Sequence, residues 1–272
     1  MNTLTETLAS VCSTVKRTGL ADMESVHLMR RFDAKYVVPE AWLPELVESL
    51  AGNAHLLEVA GEVDSRYENL YYELPGDPFL TDHLRGRARR MKVRERRYVS
   101  NDRTYLEAKR RFPGGKTEKV RVERAPNFSA PFTAIEREFI REHVSDDVEL
   151  EPRLLGTFQR LTLVDFDRKE RLTLDRGLTC GLVGQDAKPL LEGLAIIEVK
   201  QPRPDRYGPA QRWLRSRDQR QGVVGRKTRV SKYTMARLTC DPDIAARTYL
   251  ATYRRLQDAR SWAEDLQTQT RP

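Results

Sequence analysis

Lysines, arginines and a few carboxylates recur in this sequence at every second position, a pattern and a chemistry suited to binding phosphate. They lie in the segments RMKVRERRYV, RTYLEAKRRF, KTEKVRVER, ERLTLDRGL and GLAIIEVKQP. Successive side chains on a β-strand point to opposite faces, so residues of equal parity share a face. Lys92, Arg94 and Arg96 then stand together against Met91 and Val93, and Glu107, Lys109 and Arg111 against Leu106 and Ala108. Lys119, Arg121 and Glu123 oppose Val120 and Val122; Arg171, Thr173 and Asp175 oppose Leu172 and Leu174; Glu198 and Lys200 oppose Ile197 and Val199. Any one of these is an ordinary half-buried strand with its charges in water. As a set they argue differently, because every charged face carries Arg or Lys. The planar guanidinium contacts phosphate bidentately, and several converging cations stabilise charge on a transferring phosphoryl group. With these faces turned inward and the apolar faces covered by helices, the strands would line a basic tunnel.

A purely electrostatic trap has no use for acids among its cations. Glu198 is central in AIIEVKQ, whose apolar flanks predict burial. A buried carboxylate needs a partner: Lys200 two residues on, a neighbouring Arg, or a divalent metal that also bridges to phosphate. Glu107 and Asp175 are secondary candidates for the same role.

The elements that must position these residues follow from periodicity. RRFDAKYVV (Arg30 to Val38) alternates and ends at Pro39, a strand, and PEAWLPELVESLAG places Trp42, Leu46 and Leu50 at helical spacing before Gly52. SRYENLYYEL is aromatic-rich and closes at the turn signal PGDP, and FLTDHLRGR is a short helix or loop. Three period-two segments separated by SND and PGG form an antiparallel meander, with PGG at 113–115 as a hairpin turn. The helix FTAIEREFIREHV follows, then the strands GTFQRLTLVDF, ERLTLDRGL and GLAIIEVKQP. Helical GPAQRWLRSRDQR, the short basic segment GRKTRVSKYTMARL and a final helix of about twenty residues from Pro242 complete the chain. The predicted fold is α+β: an antiparallel β tunnel, closed as a barrel of about eight strands, with helices packed outside. The predicted organisation is an N-terminal arm over 1–26, the tunnel domain over 27–240, and a C-terminal helix over 241–272 beside it.

The 272 residues carry 48 Lys and Arg against 40 Asp and Glu, a net charge of +8. A chain of this length buries enough surface to form a core, so disorder is excluded. No stretch approaches the run of about 20 apolar residues that a membrane span needs, and no secretory h-region opens the chain, so a cytoplasmic location is expected. Cys12, Cys180 and Cys240 are odd in number and widely spaced, which suits reduced thiols and no zinc site. Neither a P-loop nor a Gly-x-Gly-x-x-Gly fingerprint occurs. The four histidines share no motif and no Ser/His/Asp arrangement is visible, so acyl or phosphohistidine chemistry is disfavoured. Nucleic-acid binding would need an outward basic face with exposed aromatics and is not expected.

The order RRFDAKYVV, YENLYYEL, MKVRERRY, YLEAKRR, GKTEKVRV, GTFQRLTL, ERLTLDRGL, IIEVK and RVSKY resembles the VTC domain, the polyphosphate polymerase domain of the vacuolar transporter chaperone, among the CYTH-like triphosphate tunnel metalloenzymes. The resemblance runs from about residue 27 to 235 and rests on the order of its motifs. It implies a tunnel that binds ATP and a divalent metal, Mn2+ or Mg2+, and transfers the terminal phosphoryl group of ATP to a growing polyphosphate chain. By that resemblance Lys35, Arg94, Arg96, Lys109, Arg160 and Arg171 are the catalytic cations. Lys119, Arg121 and Lys232 would bind substrate, Phe158 would stack on the nucleobase, and Glu198 would hold the metal; the charged strand faces themselves add Lys200 to the substrate-binding cations and Glu107 as a second metal candidate. Hydrolytic members of the superfamily begin with Glu-x-Glu-x-Lys; here the corresponding face is Arg31, Asp33 and Lys35, which agrees with a polymerase. The alternatives are an inorganic or nucleoside triphosphatase of the same fold, or a polyphosphate-binding module without turnover. A membrane-protein partner is compatible with the resemblance, whereas coupling of synthesis to translocation is not expected of this chain.

Overall fold

The structure, a computed structural model, describes residues 3–26, 32–125, 128, 130–145, 149–217, 224–241, 243–244 and 247–269. Its elements begin with α1 (Leu4–Thr14), β1 (Arg17–Thr18), β2 (Phe32–Pro39), α2 (Leu43–Leu50), β3 (His55–Leu57), β4 (Ser65–Glu73) and α3 (Pro78–Leu84). The meander β5 (Arg90–Tyr98), β6 (Arg103–Arg111) and β7 (Thr117–Arg124) follows, then α4 (Ala134–His143). The second strand group is β8 (Glu151–Asp165), β9 (Glu170–Leu182), β10 (Lys188–Pro189) and β11 (Leu194–Gln201). Three helices end the chain: α5 (Pro209–Ser216), α6 (Lys232–Cys240) and α7 (Arg247–Gln269).

Local chemistry sets several of these boundaries. Thr3 with Glu6 and Thr133 with Glu136 form capping boxes that satisfy the first amides of α1 and α4. Between β6 and β7 the predicted PGG turn is present, with Gly114 and Gly115 at φ +80° and +88°, a region open to glycine at little cost. The segment GRKTRVSKYTMARL, expected only as short and basic, contains α6, whose first turn is capped by the Ser231 hydroxyl.

The main sheet runs β2-β11-β9-β8-β4-β5-β6-β7, every pair antiparallel, with the short strands β1, β3 and β10 at its margins. Eight strands on this path match the expected number. The expected closure is a correction: β2 and β7 are the two ends, and among the described residues no ladder joins them. Edge strands resist pairing when charged side chains stand along them, and Glu118, Lys119, Arg121 and Glu123 of β7 are all exposed.

The open sheet is nonetheless strongly curled. Lys35 on β2 donates from Nζ to the Val230 carbonyl at 3.2 Å, and Lys92 on β5 donates to the Ser231 hydroxyl at 2.8 Å. Five ladder steps separate these strands, about 24 Å if the sheet were flat. Two side chains that meet neighbouring residues of one segment therefore require the sheet to wrap around it.

On the convex side, Val38, Leu161, Leu163, Leu172, Leu174, Ile197 and Val199 pack with Leu8 and Cys12 of α1, Leu43, Leu46 and Leu50 of α2, and Trp213 and Leu214 of α5. Further along, Leu70, Tyr72, Val93, Leu106 and Ala108 pack with Phe139 and Ile140 of α4. A third cluster lies on the concave side. Val37, Tyr71, Leu154, Phe158, Cys180 and Ile196 enclose Tyr233, Met235, Ala236 and Leu238 of α6, with α3 and α7 behind. Each inner face therefore changes character along the strand: Glu198 and Lys200 are charged, while Ile196 two residues earlier belongs to the apolar filling. Helix α6 is buried nearly all round, as a helix within a core must be.

Candidate active site

The channel is assembled from cross-strand neighbours. On β5 and β6, Lys92 faces Lys109, Arg94 faces Glu107 and Arg96 faces Tyr105; on β7, Lys119 faces Lys109 and Arg121 faces Glu107. β4 sets Tyr71 beside Arg94 and Asn69 beside Arg96, and β8 sets Phe158 beside Tyr67. Arg160 on β8 faces Asp175 on β9, Arg171 faces Lys200 of β11, and Glu198 lies between Thr173 and Lys35. The opposite ends of the sheet interact across the interior: Lys109 of β6 experiences the charges of Lys35, Glu198 and Asp33. The one-sided parity of the sequence thus corresponds to a shared cationic interior.

The carboxylates are organised by the cations around them. Glu107 is almost fully buried; its Oε2 accepts from Arg94 Nε at 2.8 Å and from Nη2 at 2.6 Å, and Oε1 pairs with Lys119. Burial alone would raise its carboxyl, but Arg94, Arg96 and Lys119 reverse this and hold it well below the usual range. Both oxygens of Glu107, the second metal candidate, are paired with cations. Asp175, equally buried, accepts from Arg160 Nη2 at 2.8 Å and pairs with Lys232; these two overcome its burial and keep it ionised. Glu198 pairs with Lys200 at 2.5 Å, one of the partners expected for it, and remains 19% exposed. Burial would raise it, yet Lys200, Lys35 and Arg160 hold it far below its ordinary value.

For several lysines burial and neighbouring cations outweigh the nearby acids. Burial lowers Lys109, Lys200 and Lys232 to about 8, with Lys35 and Arg94 adding repulsion at Lys109 and Arg160 at Lys200 and Lys232. Lys92 is driven well below its ordinary value by burial and by Lys35 and Lys109. Lys109 is at once solvent-accessible and surrounded by these charges, as suits the wall of a concave channel. The cations of this interior outnumber its acids Asp33, Glu107, Asp175 and Glu198.

Phe158 is 3% exposed, stacked on Tyr67 at 5.1 Å, with Arg96, Arg160 and Lys232 lying 5.9, 5.1 and 4.6 Å from its ring centre. The expected base-stacking ring is thus enclosed and acts as a rest for three cations. Asn69 was not singled out from the sequence; it accepts from Arg96 Nε at 2.8 Å and donates to the Gly156 carbonyl at 3.2 Å, fixing that guanidinium. Tyr67 and Tyr71 share its face. Their strand is aromatic on both sides, so parity alone did not show which face is inner. Arg121 lies at the exposed rim, 4.4 Å from the Tyr105 ring centre. Arg31, part of the face compared with the hydrolytic enzymes, lies outside the described residues.

The family model of the VTC domain matches residues 30–241. The chain belongs to that family. No curated protein matches it. Among solved structures, the VTC chain is similar to a Hippeastrum protein described as a proposed adenylyl cyclase with a dominant triphosphatase activity (16% identity, TM-score 0.45, 78% of this chain and 97% of that one). It is also similar to a proposed adenylate cyclase from Bacillus halodurans (12%, TM-score 0.44, 73% and 92%) and to a protein from Pyrococcus horikoshii (14%, TM-score 0.41, 76% and 97%). Among its described residues, no three His, Cys, Asp or Glu side chains are grouped to hold a metal by themselves.

Proposed function

We propose that this VTC domain is a metal-dependent polyphosphate polymerase that transfers the terminal phosphoryl group of ATP to a polyphosphate chain held in the basic channel. The observation that carries this reading is the cationic excess of the interior. Lys35, Lys92 and Lys109 converge there and repel one another, with Glu198 and Asp33 as the acids that offset part of that charge, and a bound polyanion would relieve the rest. In-line phosphoryl transfer needs little covalent chemistry from the protein and depends on positioning and charge neutralisation. The terminal phosphate of an acceptor chain is already ionised, so no general base is required.

Arg94, Arg96 and Arg160 are each oriented by a fixed acceptor, respectively Glu107, Asn69 and Asp175. That leaves their remaining N–H groups to phosphate oxygens without a search through rotamers. Lys35, Lys109 and Lys232 would neutralise charge on the transferring group, and Lys119 and Arg121 at the rim would receive the chain. A divalent ion held by a single carboxylate takes its other ligands from water and substrate phosphates. Glu198, inward and partly open, fits that arrangement, and Glu107 does not. Glu198 would hold the metal, which would supply charge neutralisation to the bound phosphates.

Incubation of the purified protein with ATP and manganese, with the product run on a gel that resolves polyphosphate, tests this reading. A ladder of long acid-labile phosphate is expected. Free phosphate alone would assign the channel to triphosphate hydrolysis, and binding without turnover would make it a polyanion-binding module.

A further inference from the structure

Helix α6 begins in the channel and ends at a thiol. Its first residue, Lys232, pairs with Asp175 of β9, and its last residue, Cys240, places Sγ 3.6 Å from Sγ of Cys180, five residues further along the same strand. The two cysteines are 60 residues apart in sequence and both are free. Cys180 is 1% exposed within the apolar cluster around α6, and Cys240 is half-buried at its margin. The neighbour of Cys180 across the β8 ladder is Gly156, which has no side chain to stand between the sulfurs. A disulfide bond is about 2.05 Å long, so the two sulfurs must close by about 1.5 Å to join.

We propose that Cys180 and Cys240 form a covalent latch, a disulfide made on exposure to a peroxide, that ties the end of the buried helix α6 to the channel wall. The inference is independent of the reaction assigned to the channel. Cys240 is the more accessible thiol and reacts first: its sulfur attacks one peroxide oxygen, the O–O bond breaks, and a sulfenic acid and water result. The Cys180 sulfur then attacks the Cys240 sulfur, the S–O bond breaks, and the hydroxyl leaves as water with the Cys180 proton. Two thiols lose two electrons and two protons in total, and the peroxide is reduced to two waters. Burial and the neighbouring Cys240 push the Cys180 thiol up, which leaves the first attack on peroxide to Cys240; the 3.6 Å separation of the sulfurs is what gives Cys180 the second step.

The full chain is treated with hydrogen peroxide, denatured, alkylated with N-ethylmaleimide and weighed intact. All three cysteines are alkylated in the reduced protein; after oxidation only Cys12 is expected to be alkylated, and digestion should yield a peptide pair joined through Cys180 and Cys240. Oxidised Cys240→Ser should keep Cys12 and Cys180 free. The oxidised wild type should also unfold several degrees higher than the reduced protein, a rise that Cys240→Ser lacks. Three alkylated sites after oxidation, a sulfinic acid on Cys240 without a linked peptide, a bond involving Cys12, or an unchanged unfolding midpoint would each overturn the latch.

Discussion

At the scale of single residues, the acids in the channel have distinct tasks. In the role proposed for it Glu198, 19% exposed, holds the metal, so Glu198→Ala should lower metal-dependent turnover by about a hundredfold or more while circular dichroism stays native. A manganese titration of the rate checks this, and an unchanged rate would remove Glu198 from the metal role. The lysines define a pH window. Lys200 and Lys232 are lowered to about 8 from an ordinary 10.5. Between about 8 and 10.5 the unfolded chain therefore binds more protons than the folded one, and the stability of the protein without ligand should rise with pH through that interval. Polyphosphate affinity should run the other way, falling as pH passes 8 and these amines lose charge. Thermal midpoints with and without tripolyphosphate from pH 7 to 10 read both slopes; parallel slopes would mean that these lysines do not face the ligand.

At the scale of elements, the ladder between β5 and β6 is the cationic wall and Glu107 its fastener. Glu107→Gln leaves Arg94, 22% exposed, and Lys119, 40% exposed, without their counter-charge, at a cost of about 1–3 kcal/mol. The same change frees two cations, so the variant should unfold earlier in urea yet bind polyphosphate more tightly. Loss of affinity together with loss of manganese dependence would instead restore Glu107 as a metal ligand. Arg94→Ala combined with Arg96→Ala should weaken ATP and polyphosphate binding at least tenfold and flatten its salt dependence, measured by titration calorimetry across ionic strengths. Wild-type affinity would mean that these guanidinium groups play no part in holding phosphate.

At the scale of the whole molecule, the binding proposed for the curled sheet with α6 inside predicts that polyanion and stability are coupled. A ligand bound only to the folded state raises the unfolding midpoint, and a screened electrostatic contact loses that effect with salt. Tripolyphosphate should therefore raise the midpoint by several degrees at about 0.05 M salt and much less at about 0.5 M. A salt-independent rise would point to a contact other than the channel. No helix among the described residues is long and apolar enough to cross a membrane.

The sequence by itself determined which side chains share a face, because strand parity is local: Lys92 with Arg94 and Arg96, or Glu198 with Lys200, cannot be separated while their strands exist. It also determined the meander and its glycine turn, since φ near +80° at Gly114 and Gly115 is a property of those residues. The tertiary structure decided what parity cannot express. Whether β2 meets β7 depends on the curvature summed over eight strands. Whether Phe158 is open depends on Tyr67 and three cations from other elements, and whether a carboxylate serves metal or arginine depends on which strand lies beside it. The entry of α6 into the interior is the least legible feature, because its sequence reads only as a short basic segment and its burial is fixed only once the sheet has wrapped around it.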